Sequence, residues 1–213
     1  SERDGEDRGE FLGPVRRMAA EIKENTLTAW EAGEFVLEGE DGTIRKLEMT
    51  KPNSIALDGG WMVSFEPGWD TPGTIEMKKL KPLDEHGDKA IRYYSGTATY
   101  RKEFELTKAD QPVALDLGEV AVIAEVWCNG TKVATRWAPP FVFDLSDFVT
   151  PGKNSLVVEV TNTWRNQLIF DNTRPRDQRK TWATSAPANS REPPSRSGMV
   201  GPVRLYLGEK SPL

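Results

Sequence analysis

The chain has 213 residues, 37% hydrophobic and 29% charged, with 18 Gly and 15 Pro. This is the composition of one large turn-rich domain, or one domain plus an appendage, able to bury a core without staples; it is neither disordered nor fibrous. A formal net charge of −5 argues against general nucleic-acid binding, and no stretch approaches the ~20 apolar residues of a membrane-spanning helix.

Residues 1–10 are nearly all charged or Gly and read as a frayed lead-in; Ser1 in the first position reads as a processed or cut end. Val15, Met18, Ala19 and Ile22 then recur at i, i+3, i+4 and i+7, which predicts a short helix over Gly13 to Asn25, with Pro14 suited to its first turn. From Thr26 the period changes to two. Glu34 to Glu38 and Ile44 to Met49 flank Gly39-Glu40-Asp41-Gly42, a hairpin signal, and Lys51-Pro52-Asn53 reads as a joint. The expected divisions are a lead-in with a short helix over 1–26, a hairpin over 27–52 that is a linker or the end of a preceding unit, and a main body over 53–213.

The main body reads as all-β. Trp61 to Phe65 is a short strand, and residues 66–90, rich in Pro, Gly and charge, suggest a long loop. Ala98, Tyr100, Phe104 and Leu106 alternate with polar residues, as do Val113, Leu115 and Leu117. Val120 to Cys128 is strongly apolar; Asn129-Gly130 is a favoured two-residue turn, and Lys132 to Trp137 returns. Leu156, Val158 and Val160 alternate again, and Val203 to Leu207 is the last strand. Many short antiparallel strands with one buried face each imply a sandwich or jelly roll. The polar segment 171–198 carries Arg174, Arg176, Arg179, Lys180, Arg191 and Arg196 against Asp171, Asp177 and Glu192. A loop of that length in a compact domain is usually functional, an interface, or disordered.

Three ordered motifs resemble the sugar-binding, galactose-binding-like jelly roll of family 2 glycoside hydrolases. They are Val126-Trp127-Cys128-Asn129-Gly130-Thr131-Lys132-Val133, then Pro140-Phe141-Val142-Phe143-Asp144-Leu145, then Gly152-Lys153-Asn154-Ser155-Leu156-Val157-Val158-Glu159-Val160-Thr161-Asn162. A second set looks like the C-terminal part of bacterial family 106 α-L-rhamnosidase-like hydrolases: Ile91 to Tyr100, Leu115 to Val120, Asn162 to Ile169 and Ser197 to Leu205. There the segment sits behind a catalytic barrel and smaller β domains, and the hairpin over 34–49, preceded by Thr28-Ala29-Trp30, resembles the end of the domain just upstream. Relatives often carry Arg where this chain has Gln167, so no role of that Arg transfers, and the barrel with the catalytic acids is absent from these residues.

The resemblance implies an all-β, galactose-binding-like jelly-roll sandwich with an N-terminal hairpin and one short helix. It implies a non-catalytic accessory domain of a bacterial glycoside hydrolase, rhamnosidase-like, with a periplasmic or extracellular address. The expected partners are a saccharide and the catalytic and other domains of the parent, with no nucleic acid or membrane. No organic cofactor is implied, while a structural calcium is allowed, since jelly-roll sugar binders often hold one in a cage of carboxylates and carbonyls. The rival readings are an autonomous lectin-like module and a purely structural interaction domain.

Sugars offer C–H faces to aromatic rings and hydroxyls to fixed polar groups. Trp137 and Trp164 stand just past strands, where a jelly roll presents ligands; with Arg136, Asn162, Arg165, Asn166 and Asp171 they form the candidate saccharide contacts. Asn162 and Asp171 also suit turn capping. Trp61 and Trp127 lie within strands and read as core or sheet-face residues. The basic loop suits an acidic saccharide, or docking on another domain. One cysteine, Cys128, excludes an intrachain disulfide, and one histidine, His86, excludes a two-His metal site. Asp84-Glu85-His86-Gly87-Asp88 holds several metal-ligating types, but solvated charge is its default reading. Glycoside hydrolysis needs two carboxylates about 5 or 6.5–9.5 Å apart. Glu103, Glu105, Asp116, Glu125 and Glu159 lie on polar strand faces where solvation explains them, so no catalytic residue is assigned.

Overall fold

Two antiparallel sheets face each other across one continuous core. The computed structural model describes residues 20–23, 25–39, 42–49, 53–183 and 192–212. In chain order the strands and helices are β1 (Ala20–Lys23), β2 (Thr26–Ala29), β3 (Gly33–Glu38), β4 (Ile44–Met49), β5 (Asn53–Ala56), β6 (Trp61–Phe65), β7 (Thr74–Met77), α1 (Lys89–Arg92), β8 (Thr97–Leu106) and β9 (Val113–Asp116). Then follow β10 (Glu119–Ala121), β11 (Ile123–Cys128), β12 (Thr131–Arg136), β13 (Val142–Asp144), β14 (Gly152–Thr161), α2 (Arg165–Asp171), β15 (Gly198–Gly201), β16 (Arg204–Leu207) and β17 (Glu209–Pro212).

The larger sheet has the order β12-β11-β14-β8-β6-β7 and the smaller β13-β9-β16-β5. Alternation along each strand sends one set of side chains inward. Trp61, Val63, Tyr100, Val126 and Val158 come from the larger sheet and meet Val113, Leu115, Phe143 and Leu205 from the smaller. β8 and β14 pair over ten residues each, from Gly152 opposite Leu106 to Thr161 opposite Thr97. β11 and β12 are joined by Asn129 and Gly130, both at positive φ (50° and 81°), the conformation their tight turn demands. The all-β sandwich expected from the alternation is the observed architecture.

Three smaller sheets decorate it. β3 and β4 form the expected hairpin, with Glu34 opposite Glu48 and Val36 opposite Lys46. β10 pairs with β15. β1, β2 and β17 form a three-stranded sheet with β2 in the centre, so the strand that ends the described chain lies beside one near its start.

The helix expected over Gly13 to Asn25 is corrected where the structure describes it. Ala20–Lys23 is strand β1, with Ile22 opposite Leu27 on β2; residues 13–19 and 24 lie outside the described residues. A barely three-turn helix is marginal by itself, whereas β2, whose Leu27 and Ala29 are buried, offers these residues a backbone edge. The expected long loop over 66–90 contains β7, a 3-10 turn at Leu83–Glu85 and the start of α1. The apolar run from Val120 to Cys128 is divided between β10 and β11, which belong to different sheets.

Candidate functional site

The register of the larger sheet collects several loops on one rim. Arg136 lies opposite Ala124, Ile123 opposite Thr161, Thr161 opposite Thr97, and Ala98 opposite Phe65. The residues beyond these ends, Trp137 after β12, Asn162 to Arg165 after β14 and Glu66 to Asp70 after β6, therefore share one end of the sandwich. With neighbouring strands about 4.8 Å apart, β12 and β14 are separated by about 10 Å.

Asn162 fastens this rim. Its Nδ2 donates to the Tyr94 carbonyl (2.7 Å) and its Oδ1 accepts from the Gly96 backbone N–H (2.9 Å), tying the end of β14 to the start of β8. An aromatic series climbs from the core to the surface beside it. Phe65 meets Tyr94 at 5.0 Å between centroids, Tyr94 meets Trp69 at 5.9 Å, and Trp69 meets Trp164 at 6.0 Å. The Tyr94 hydroxyl donates to the Thr97 carbonyl (2.8 Å), and burial pushes its pKa up. Trp164 is 62% exposed and Trp137 80%, so each shows most of its indole to solvent. The Arg136 guanidinium lies 5.5 Å from the centre of the Phe143 ring.

Helix α2 starts directly after Trp164. Arg165 forms an ion pair with Glu192. Asn166, buried, copies a strand's hydrogen bonding: its Nδ2 donates to the Ser195 carbonyl (2.8 Å) and its Oδ1 accepts from the Ser195 N–H (2.7 Å). The Gln167 backbone N–H donates to Ser95 Oγ (3.0 Å), and its Nε2 donates to Asp171 Oδ1 (2.9 Å). The other carboxylate oxygen of Asp171 accepts from the N–H groups of Lys180 (3.1 Å) and Thr181 (2.8 Å) and from Thr181 Oγ1 (2.5 Å). Asn162, Asn166 and Asp171 thus spend their polar groups on the chain itself, shaping the rim from within.

Beyond α2 the basic segment folds back over β6's following loop. Arg174 places both terminal nitrogens 3.0 Å from Asp70 Oδ2, with its guanidinium 4.1 Å over the Phe170 ring. Lys180 Nζ reaches Asp70 Oδ1 (2.8 Å) and the Gly68 carbonyl (2.7 Å). The Lys180 ammonium, then the Arg174 guanidinium, hold the Asp70 carboxyl below the usual carboxylate value. Between α2 and this segment lies a cleft of about 560 Å³, lined by Asp171, Arg176, Arg179, Lys180, Thr181 and Trp182 among others. Trp182 is 85% exposed. Asp70 was not a sequence candidate because its partner Arg174 lies 104 residues away. Its only local signal was the pair Trp69-Asp70 ahead of Pro72-Gly73 in a long loop.

The remaining candidates have local roles. In the segment 84–88, Asp84 accepts from the Ser197 N–H (3.0 Å), Glu85 pairs with Arg196 (2.6 Å), and Asp88 caps α1 through the Ala90 N–H (2.8 Å). His86 Nδ1 accepts from the Asp88 N–H (3.1 Å), and burial lowers its pKa. Among the described residues, no group of three or more His, Cys, Asp or Glu side chains is placed to hold a metal ion. Glu103 and Glu125 pair on the outer sheet face with Lys153 and Lys132. Trp61 is fully buried, and Trp127 lies half-buried beneath Lys132. No helix among the described residues is long and apolar enough to cross a membrane.

The chain is thus a two-sheet antiparallel β-sandwich domain with exposed tryptophans and arginines gathered on one loop rim. The chain belongs to the family of glycosyl hydrolases family 2 sugar binding domains, whose profile matches residues 31–186. It is 37% identical over 191 residues to the "Putative beta-glucuronidase" of Formosa agariphila, covering 75% of this chain and 16% of that protein. It superposes with a TM-score of 0.70 on the rhamnosidase from Novosphingobium sp. PP1Y, at 36% identity over 78% of this chain and 16% of the other. The β-glucuronidase from Ruminococcus gnavus shares the fold, with a TM-score of 0.54 at 20% identity over 76% of this chain and 30% of that one. The chain therefore spans only a small part of the length of each relative.

Proposed function

We propose that this chain is the non-catalytic, saccharide-facing domain of a larger, rhamnosidase-like glycoside hydrolase. It packs on the catalytic domain and adds sugar contacts beside the active site. The parent reaction in this reading is hydrolysis of a terminal glycosidic bond in a plant or bacterial polysaccharide, which fits a periplasmic or extracellular address. The observation that carries it is the rim itself: Trp137 and Trp164 stand 80% and 62% exposed at the same end of one sheet, with Arg136 and Arg165 beside them. A folded core gains nothing from leaving two indoles in water, whereas a pyranose stacks on such faces. Asn162, Asn166 and Asp171 act in this reading as the frame that fixes the tryptophans rather than as ligands. The 36% identity to a rhamnosidase supports the rhamnosidase-like parent.

Affinity electrophoresis of the chain in gels containing rhamnose-bearing polysaccharides tests this. The expected result is retardation that Trp137→Ala and Trp164→Ala each weaken, with the circular dichroism of both variants unchanged. Equal mobility in gels with and without polysaccharide overturns it.

A further inference from the structure

We infer that the cleft beside α2 is a second saccharide site, built for a pyranose carrying an anionic group, a carboxylate or a sulfate ester. The inference rests on the reading of this chain as a saccharide-facing domain, and it concerns different residues from the Trp137–Trp164 rim.

Charge is the first argument. The cleft is lined by Arg176, Arg179 and Lys180. The acids around it are already engaged, Asp70 by cations and Asp171 by neutral N–H and O–H donors. Asp70 is shared by Arg174 and Lys180, and Asp171 accepts four hydrogen bonds from Gln167, Lys180 and Thr181. Arg176 and Arg179 form no ion pair among the described residues; Arg179 spends only its Nε, on the Arg174 carbonyl (3.2 Å). Asp177 stands between them in the chain but is not part of the cleft wall. Two forked guanidinium groups in one concavity match the oxygens of a carboxylate or sulfate.

Shape is the second. The volume of about 560 Å³ lies within the range of roughly 300–1,000 Å³ typical of small-molecule sites. Trp182 offers an indole that stacks on no ring of the described residues and is 85% exposed. A flat aromatic wall beside paired guanidinium groups suits a sugar ring with a charged substituent. A free inorganic anion has no use for the indole.

The third is rigidity. The Asp171 clasp and the Asp70 clamp hold both ends of the segment 174–181 against the body. The backbone that carries Arg176 and Arg179 is therefore anchored at both ends before a ligand arrives, which lowers the ordering cost of binding.

Calorimetric titration of the full 213-residue chain with D-glucuronate, D-glucose 6-sulfate, D-glucose and inorganic sulfate tests the inference. At least one acidic sugar should bind about tenfold or more tightly than glucose, and that preference should fall with added salt. The double variant Arg176→Ala/Arg179→Ala should remove the preference, and Trp182→Ala should weaken the sugars while leaving sulfate unchanged. All three residues are exposed, and an unchanged melting temperature checks that the variants fold. Binding of glucuronate alone identifies the group as a carboxylate, and binding of the sulfated sugar alone as a sulfate ester. Glucose binding as well as glucuronate, or acidic-sugar binding that survives the double variant, overturns the inference. So does inorganic sulfate binding as tightly as both acidic sugars. If neutral saccharides still bind through Trp164 while the acidic preference is missing, the cleft falls and the domain reading stands. If no saccharide binds, both fall, and an acidic surface of a neighbouring domain becomes the partner of the arginines.

Discussion

Replacing Asp171 tests how the cleft is held. Asp171 is 2% exposed and its carboxylate accepts from four donors, one of them the amide of Gln167, a residue 4% exposed. In Asp171→Ala the Lys180 and Thr181 groups can turn to water entering through the cleft, but the Gln167 N–H2 is left buried without its acceptor. An unsatisfied buried donor costs about 1–3 kcal/mol, and hydrogen bonds to a charged group contribute roughly 1.5–3 kcal/mol each. With three of the four donors able to recover water, the net loss is about 3 kcal/mol. For a chain of this size that lowers the melting temperature by about 6–12 °C. Asp171→Asn keeps one carbonyl oxygen for Lys180 and Thr181, and Gln167 can turn its own amide to meet the new N–H2, so its cost is about 1 kcal/mol. Urea unfolding gives both numbers, and amide hydrogen exchange at Lys180 and Thr181 locates the effect. The reasoning is refuted if the Ala variant stays within about 0.5 kcal/mol of wild type, if Asn costs as much as Ala, or if protection at Lys180 and Thr181 is unchanged.

Three further perturbations probe other parts. Gly118→Ala places a Cβ 2.4 Å from the Gly201 carbonyl carbon at a φ of +65°; the strain and clash together cost about 3 kcal/mol, read from the urea midpoint. Trp164→Ala removes a half-solvated ring whose described aromatic partner is Trp69, so stability falls by only about 1 kcal/mol while polysaccharide retardation is weakened. The Asp70 carboxyl lies below its ordinary 3.8 in the folded protein. Its ion pairs with Arg174 and Lys180 therefore stabilise the fold above that value, and the contribution is lost as pH falls through the lowered pKa. Asp70→Asn should flatten the acid limb of the stability profile below about pH 4, without moving the profile's shape near neutrality. A parallel acid limb in the variant would show that the clamp contributes nothing.

The sandwich was readable because its strands obey one rule. β8, β11 and β14 each bury one face, so their apolar residues fall at every second position, and Asn129-Gly130 marks the turn between two of them. α2 broke that rule. Its buried face is Asn166, Gln167, Ile169 and Asp171, so a search for apolar periodicity finds only one residue of it. Three of its four buried residues are held by hydrogen bonds, which leave no hydrophobic signature. β1 failed for the opposite reason: four residues are too few to separate a period of two from one of 3.6, and pairing with β2 decided the outcome. At the site, the exposure of Trp137 and Trp164 followed from their places just beyond strand ends. The stacking of Trp69 on Trp164 and the Asp70 clamp depend on chain segments far apart, which only the closed sheet brings together.

The three-stranded sheet also has a mechanical meaning. β1 and β17 flank β2 and run the same way, so Ala20 and Glu209 both lie opposite Ala29, and Pro212 lies opposite Thr26. Tension applied outward at Ala20 and Pro212 pulls the two flanking strands along their own axes in opposite directions. The hydrogen bonds to β2 then share that load together instead of parting one after another like a zipper. Tension along that line strains this clasp before it strains the sandwich, and a single sharp rupture in a force–extension trace is its expected signature.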